Sequence, residues 1–115
     1  MLPKKHRGLS PDQVSELFTK EHQTLSNHFF RINYRFCDQS RAQFAVMVQP
    51  KVERSAVSRN RLRRRVYEVI RLHFESWTTG VRVVILVKKN AALLDRAKVR
   101  EEFLAIFKRF VSKKP

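Results

Sequence analysis

Apolar positions along this chain follow two spacings, and the segments that keep each one separate cleanly. In "LSPDQVSELF" Val14, Leu17 and Phe18 fall at i, i+3 and i+4, the apolar edge of a helix. Its start is marked chemically. Ser10 suits the N-cap, Pro11 the first helical position, and Gln13 completes a Ser-x-x-Gln capping box. The spacing predicts a helix that ends near Lys20. In "HFFRINYRFC" the pattern alternates instead: Phe30, Ile32, Tyr34 and Phe36 point one way, Phe29, Arg31, Asn33 and Arg35 the other. That is a strand with a core face and a wet face. "CDQSR" reads as a turn and "AQFAVMVQ" as a second strand stopped by Pro50, so the two strands are expected to form an antiparallel hairpin.

From about Ala56 the longer period returns. Leu62, Val66, Val69, Ile70 and His73 make one helical stripe. "GVRVVILVKK" is a near-continuous β-branched run, as expected of a buried central strand. Val99, Phe103, Ile106, Phe107 and Phe110 stripe a closing helix. The order α-β-β-α-β-α gives an α+β domain, a small sandwich of helices on a sheet. No repeat, low-complexity linker or break in composition divides residues 1–115, which read as a single domain.

Charge changes this picture. Lys and Arg number 25 against 10 Asp and Glu, a formal net charge of +15, while 43% apolar residues argue against disorder. The basic residues are spread along the chain, from Lys4, Lys5 and Arg7 through Lys88 and Lys89 to Lys113 and Lys114. Such a balance implies a polyanionic partner: nucleic acid first, an anionic membrane surface second. No apolar run approaches the ~20 residues needed to span a bilayer, and the N-terminus lacks the apolar stretch of a signal peptide. The lone Cys37 excludes an intramolecular disulfide and points to a reducing cytoplasm.

The charge is densest in "SRNRLRRRVYEVIR", where the single acid Glu68 answers six arginines. Advancing roughly 100° per residue puts Arg61, Arg64, Arg65 and Arg71 opposite the apolar stripe, with Arg59 and Arg63 at its border. A solvated helix face ordinarily mixes signs, because like charges repel at i, i+4. Here only Arg64–Glu68 has that pairing, and several arginines occupy the first turns, where the helix dipole disfavours cations. A sequence that accepts this cost needs an anion nearby. Guanidinium groups offer planar, bidentate geometry to phosphate and stack on bases. On the wet strand face, Phe29 interleaved with Arg31, Asn33 and Arg35 suits single-stranded nucleic acid. The spacing by itself does not separate RNA from DNA.

Candidate catalytic chemistry is thin. His6, His22, His28 and His73 show no metal-ligand spacing with Cys37 or with one another. His73, on the apolar stripe, reads as a partly buried, satisfied histidine, and Cys37 as inert filler at a strand end. The carboxylates are scattered, whereas phosphodiester hydrolysis usually demands clustered metal-binding carboxylates or a positioned acid and base. No catalytic and no metal-ligating residue is therefore expected in the chain.

With these residues in view, "RNRLRR" within "VQPKVERSAVSRNRLRRRVYEVIR" resembles the signature of the bacterial ribonuclease P protein component, in which an RNRxxR core opens a basic helix. "LSPDQVSELF" is similar to that family's first helix and "VRVVILVKKNAALLDRAKVREEFLAIFKR" to its last strand and helix. The resemblance implies a four-stranded mixed sheet with three helices and a left-handed βαβ crossover, one strand more than the periodicity gives. It implies a role in removing the 5′ leader of precursor tRNA, with the active site and most of the Mg²⁺ held by an RNA subunit. The implied partners are ribonuclease P RNA and precursor tRNA, with a monomeric protein in a 1:1 complex with the RNA. Lys51, Arg54, Arg59, Asn60, Arg61, Arg63, Arg64, Arg65 and Arg71 are the expected RNA-binding residues. Phe18, Phe29, Arg31, Asn33 and Arg35 are expected in the leader cleft. Departures from the family pattern stand at Pro50 and Tyr67, where lysine and arginine are usual, at Arg65 in place of an aliphatic, and at Val14. The competing reading is a structural RNA-binding protein, ribosome-associated, that uses the same arginines as glue. Membrane-surface binding is disfavoured because the basic helix needs its apolar face to cover the sheet.

Overall fold

The computed structural model describes residues 9–37, 42–73 and 80–113. Helix α1 (Pro11–Thr19) begins as its sequence dictates. Ser10 Oγ accepts the Gln13 N–H at 3.2 Å, and Gln13 Oε1 accepts the Ser10 N–H at 2.9 Å, so two orphan donors are satisfied reciprocally. The chain leaves α1 at Lys20 in extended conformation and forms β1 (Gln23–Ser26), the strand that periodicity does not predict. Asn27 then turns the backbone: its Oδ1 accepts the N–H groups of Phe29 at 2.9 Å and Phe30 at 2.7 Å. Asparagine favours turns for this reason. Strand β2 (Phe30–Phe36) returns antiparallel to β1, with Leu25 opposite Ile32.

Strand β3 (Ala42–Met47) does not pair with β2, which corrects the expected hairpin. Strand β4 (Val81–Val87) lies between them, antiparallel to β2 and parallel to β3, in the order β1-β2-β4-β3. The physical reason lies in β4 itself. Val83 and Ile85 face one side and Val84 and Leu86 the other, so only a central position covers both faces. Parallel neighbours require a crossover, and helix α2 (Ala56–His73) supplies it between β3 and β4. The turn expected over residues 38–41 lies outside the described residues. A short 3₁₀ turn, Lys89–Leu93, leads from β4 toward helix α3 (Arg96–Val111), which Asp95 caps by accepting the Lys98 N–H at 2.9 Å.

Helices α2 and α3 close one face of the sheet over an aromatic core. Phe30 meets Phe103 edge-on at 5.3 Å, Tyr34 meets Phe110 at 5.0 Å, and Phe103 stacks on Phe107 at 5.4 Å. Leu62, Val66, Val69 and Ile70 fill the α2 side of this core, as their spacing predicts. His73 does not join them. It is the last residue of α2 and is exposed rather than partly buried. Helix α1 and the residue before its cap cover only part of the opposite face, through Leu17 and Leu9 on Val84, with Val14, Ala45 and Leu86 around them. Among the described residues no helix is long and apolar enough to cross a membrane.

Candidate nucleic-acid interface

The start of α2 is built before its charge is presented. Ser55 Oγ accepts the Ser58 N–H at 3.3 Å, an N-cap contact, and Glu53 Oε1 accepts the Ser55 N–H at 3.1 Å. Arg59 folds back on this loop, its Nη1 donating to the carbonyls of Glu53 at 3.0 Å and Arg54 at 2.8 Å. Arg59 thus fastens the entry of the helix. With Leu62, Val66, Val69 and Ile70 committed to the core, Arg61 and Arg64 stand exposed on the far side. Arg63, Arg65 and Arg71 are half-buried, as expected when long stems lie on the protein and their heads reach out. Asn60, exposed, accepts from Arg63 Nη1 at 2.8 Å.

The Arg64–Glu68 pair expected from spacing is not formed. Glu68 faces Arg100 of α3 at 4.0 Å, because α2 and α3 pack side by side and a cation across the groove competes for the carboxylate. Neither Arg61 nor Arg64 has an acidic partner among the described residues. Lys51 and Arg54, in the loop that enters α2, are exposed as well. On the flank of α2 a hollow of about 540 Å³ is lined by Asn60, Arg63, Arg64, Tyr67, Glu68 and Arg71. Tyr67 is half-buried against the main core, and its hydroxyl accepts the N–H of Val46 on the edge strand β3 at 3.3 Å.

A second cationic region lies on the sheet face that α1 covers incompletely. Register sets Arg31 beside Leu86 and Met47 across β2, β4 and β3. There Arg31 and Lys51 share a hollow of about 560 Å³ with Gln49, Lys88 and Lys89. Those last three were absent from the residues expected at the site. Lys88 and Lys89 were visible as charge, but only the antiparallel register of β2 and β4 brings them beside Arg31. Lys88 also ties down the β1–β2 turn, its Nζ donating to Ser26 Oγ at 2.6 Å and to the Asn27 carbonyl.

The remaining cleft residues are not gathered there. Arg35, four residues along β2, lines a separate hollow with His22 and Tyr34. Phe18 is 41% exposed at the end of α1 and meets His22 edge-on at 5.5 Å. Phe29 precedes β2 and packs against the main core, half-buried, with His28 edge-on at 5.0 Å. Asn33 corrects the wet-face reading: it is only 3% exposed. Its Oδ1 accepts from Thr24 Oγ1 at 2.9 Å, because the unforeseen strand β1 sets Thr24 directly opposite. Beside Arg35 in the sheet stands Arg82, and Glu16 of α1 lies 3.5 Å from it and 2.6 Å from Lys20. The hydrogen bond and charge of Lys20, and then Arg82, hold its carboxyl below the usual carboxylate range.

What these surfaces can do is bind phosphates and bases. Among the described residues no group of three or more His, Cys, Asp and Glu could hold a metal. Cys37 is free and half-buried.

Comparison with known proteins bears on the family and the fold. The family model described as Ribonuclease P matches residues 2–111. A ribonuclease P protein component of Psychrobacter sp. (strain PRwf-1) is 30% identical over 96% of this chain and 85% of its own length. The solved RNase P protein of Thermotoga maritima superposes with a TM-score of 0.74 at 27% identity, over 88% of this chain and 94% of that one. The Staphylococcus aureus RNase P protein reaches 0.77 at 18% identity, over 96% and 98%, which speaks for the fold alone. The chain belongs to the bacterial ribonuclease P protein component family.

Proposed function

We propose that this chain binds the catalytic RNA of ribonuclease P through the exposed arginines of α2 and steadies the 5′ leader of precursor tRNA on the open sheet face. The RNA carries out the hydrolysis that removes the leader. The observation that supports this reading most strongly is the helix face of Arg61 and Arg64, displayed without acidic partners among the described residues while the opposite stripe is buried. Each phosphate neutralised there releases counterions, giving a salt slope of about 0.7–0.9 per contact. Arg65 and Arg71 extend the face, Arg59 and Asn60 shape its start, and Lys51 and Arg54 continue it toward the sheet. On the sheet, Arg31 and Lys51 meet the leader, with Arg35 and Phe18 at the far end. Phe29 and Asn33, packed inward, take supporting places.

Mg²⁺, which the family resemblance implies, finds no donor set among the described residues. The ion is left to RNA phosphates, where it would polarise the attacking water. The chain contributes position: it holds substrate against the RNA, and orientation of this kind lowers the barrier without chemistry of its own. The setting is the cytoplasm, with one protein per RNA.

The test is the salt dependence of binding to a bacterial ribonuclease P RNA transcript. Arg61→Ala with Arg64→Ala is expected to lower the slope by about one to two units with the fold intact by circular dichroism. An unchanged slope removes this face from the contact.

A further inference from the structure

We infer that the hollow on the flank of α2 is a pocket for one unstacked nucleotide of the RNA partner, with the ring of Tyr67 as the platform for its base. The inference rests on the proposed RNA binding by α2 and adds to it a ligand class and a residue that the arginine motif does not contain. The hollow, about 540 Å³, falls within the range of small-molecule sites, roughly 300–1,000 Å³. Its lining is the combination a nucleotide needs: one aromatic ring, three guanidinium groups, an amide and one carboxylate.

The parts are held in place. Tyr67 is fixed at both ends, by packing of its ring against the core and by the Val46 N–H donated to its hydroxyl at 3.3 Å. A platform fixed before binding loses little entropy when the base arrives. Arg63 is steadied by Asn60 at 2.8 Å. Arg64 and Arg71 lie about one turn to either side of Tyr67 along α2, separated by roughly 10 Å at 1.5 Å per residue. A strand crossing the hollow therefore meets guanidinium groups on both sides of the base that lies on the ring.

Glu68 gives the pocket a polarity. Its carboxylate repels phosphate and accepts from the N–H groups of a base edge, so base and backbone have distinct places. Paired RNA does not fit this arrangement, because its bases are stacked and its grooves present backbone, whereas an unpaired base offers a flat face.

The test uses the full chain with a bacterial ribonuclease P RNA transcript, comparing Tyr67→Phe and Tyr67→Leu at fixed salt. Stacking on an aromatic is worth about 1–3 kcal/mol per base. Tyr67→Leu should accordingly weaken binding about 5- to 150-fold with the salt slope unchanged, since no phosphate contact is lost. Tyr67→Phe keeps the ring and should bind within about threefold of the parent. Equal affinity of the Leu variant and the parent overturns the pocket, as does a loss that appears only as a changed slope. A third variant carries p-azidophenylalanine at position 67, which preserves the ring and covers the case in which the Leu variant fails to fold. Irradiated in the complex, it should crosslink to an unpaired base; crosslinks confined to duplex regions, or none at all, overturn the pocket. Failure of the parent chain to bind the RNA would instead overturn the proposed function, so the two failures are distinguishable.

Discussion

The two faces of the sheet are used in opposite ways. Under α2 and α3 the face is dry and aromatic, with Phe30, Phe103, Phe107 and Phe110 fully buried. Under α1 it carries a small apolar cluster flanked by Arg31, Arg35 and Arg82 and by the lysines at one end. Stability is concentrated on the first face and exposed charge on the second. The same division runs through α2, whose stripe is buried and whose far side shows Arg61 and Arg64. The molecule thus uses one buried core to hold cationic surfaces in fixed places despite the mutual repulsion of their charges.

Substitutions can break this comparison, and the largest effect belongs to the dry face. Phe103→Ala should cost about 3–5 kcal/mol in urea unfolding, the range for a large buried aromatic. Leu17→Ala, in the thin cluster under α1, should cost about 2 kcal/mol because that site can collapse. Equal costs would mean that both faces carry the fold alike. Next in size, Arg31→Ala with Lys51→Ala should leave stability within about 0.5 kcal/mol, as surface changes do. In the RNA-reconstituted complex the same pair should weaken binding of a leader-bearing precursor on the order of tenfold, about 1.4 kcal/mol, relative to leaderless tRNA. An equal loss for both substrates would place the leader elsewhere.

The smallest effect concerns pH. Lys20, and then Arg82, lower the folded-state pKa of Glu16 beneath its ordinary value of 4.5. The stability this contributes is fully present above that value and disappears as pH falls through the lower folded-state pKa. Urea midpoints of the parent and Glu16→Gln should differ slightly near pH 7 and converge as pH falls through the lowered folded-state pKa. A gap unchanged at low pH would show that charge does not hold α1 in place.

Much of this was legible in the sequence, for identifiable reasons. The capping box at Ser10 and Gln13, the stripes of α2 and α3, and the two-faced apolar run of β4 are local patterns, and local patterns survive folding. Strand β1 was hidden because a four-residue, mostly exposed edge strand leaves no apolar period. The position of β4 between β2 and β3 was hidden because strand order is set by long-range burial, not by adjacency in sequence. With β1 hidden, Asn33 reads as a wet-face residue, although its partner Thr24 on that strand covers it. Glu68 likewise reads as the partner of Arg64, since helix spacing takes no account of Arg100 on a neighbouring helix. Side chains that answer to their own element could be read, whereas those that answer to a neighbour could not.

The central claim is that the polypeptide supplies charge and position while its RNA partner supplies the chemistry. Cleavage of a precursor tRNA at low Mg²⁺ tests it most directly, with the chain alone, the RNA alone, and the two together. The account predicts leader removal only in the mixture. Cleavage by the chain alone would contradict the account, and a mixture no more active than the RNA alone would reduce the arginine face to structural glue.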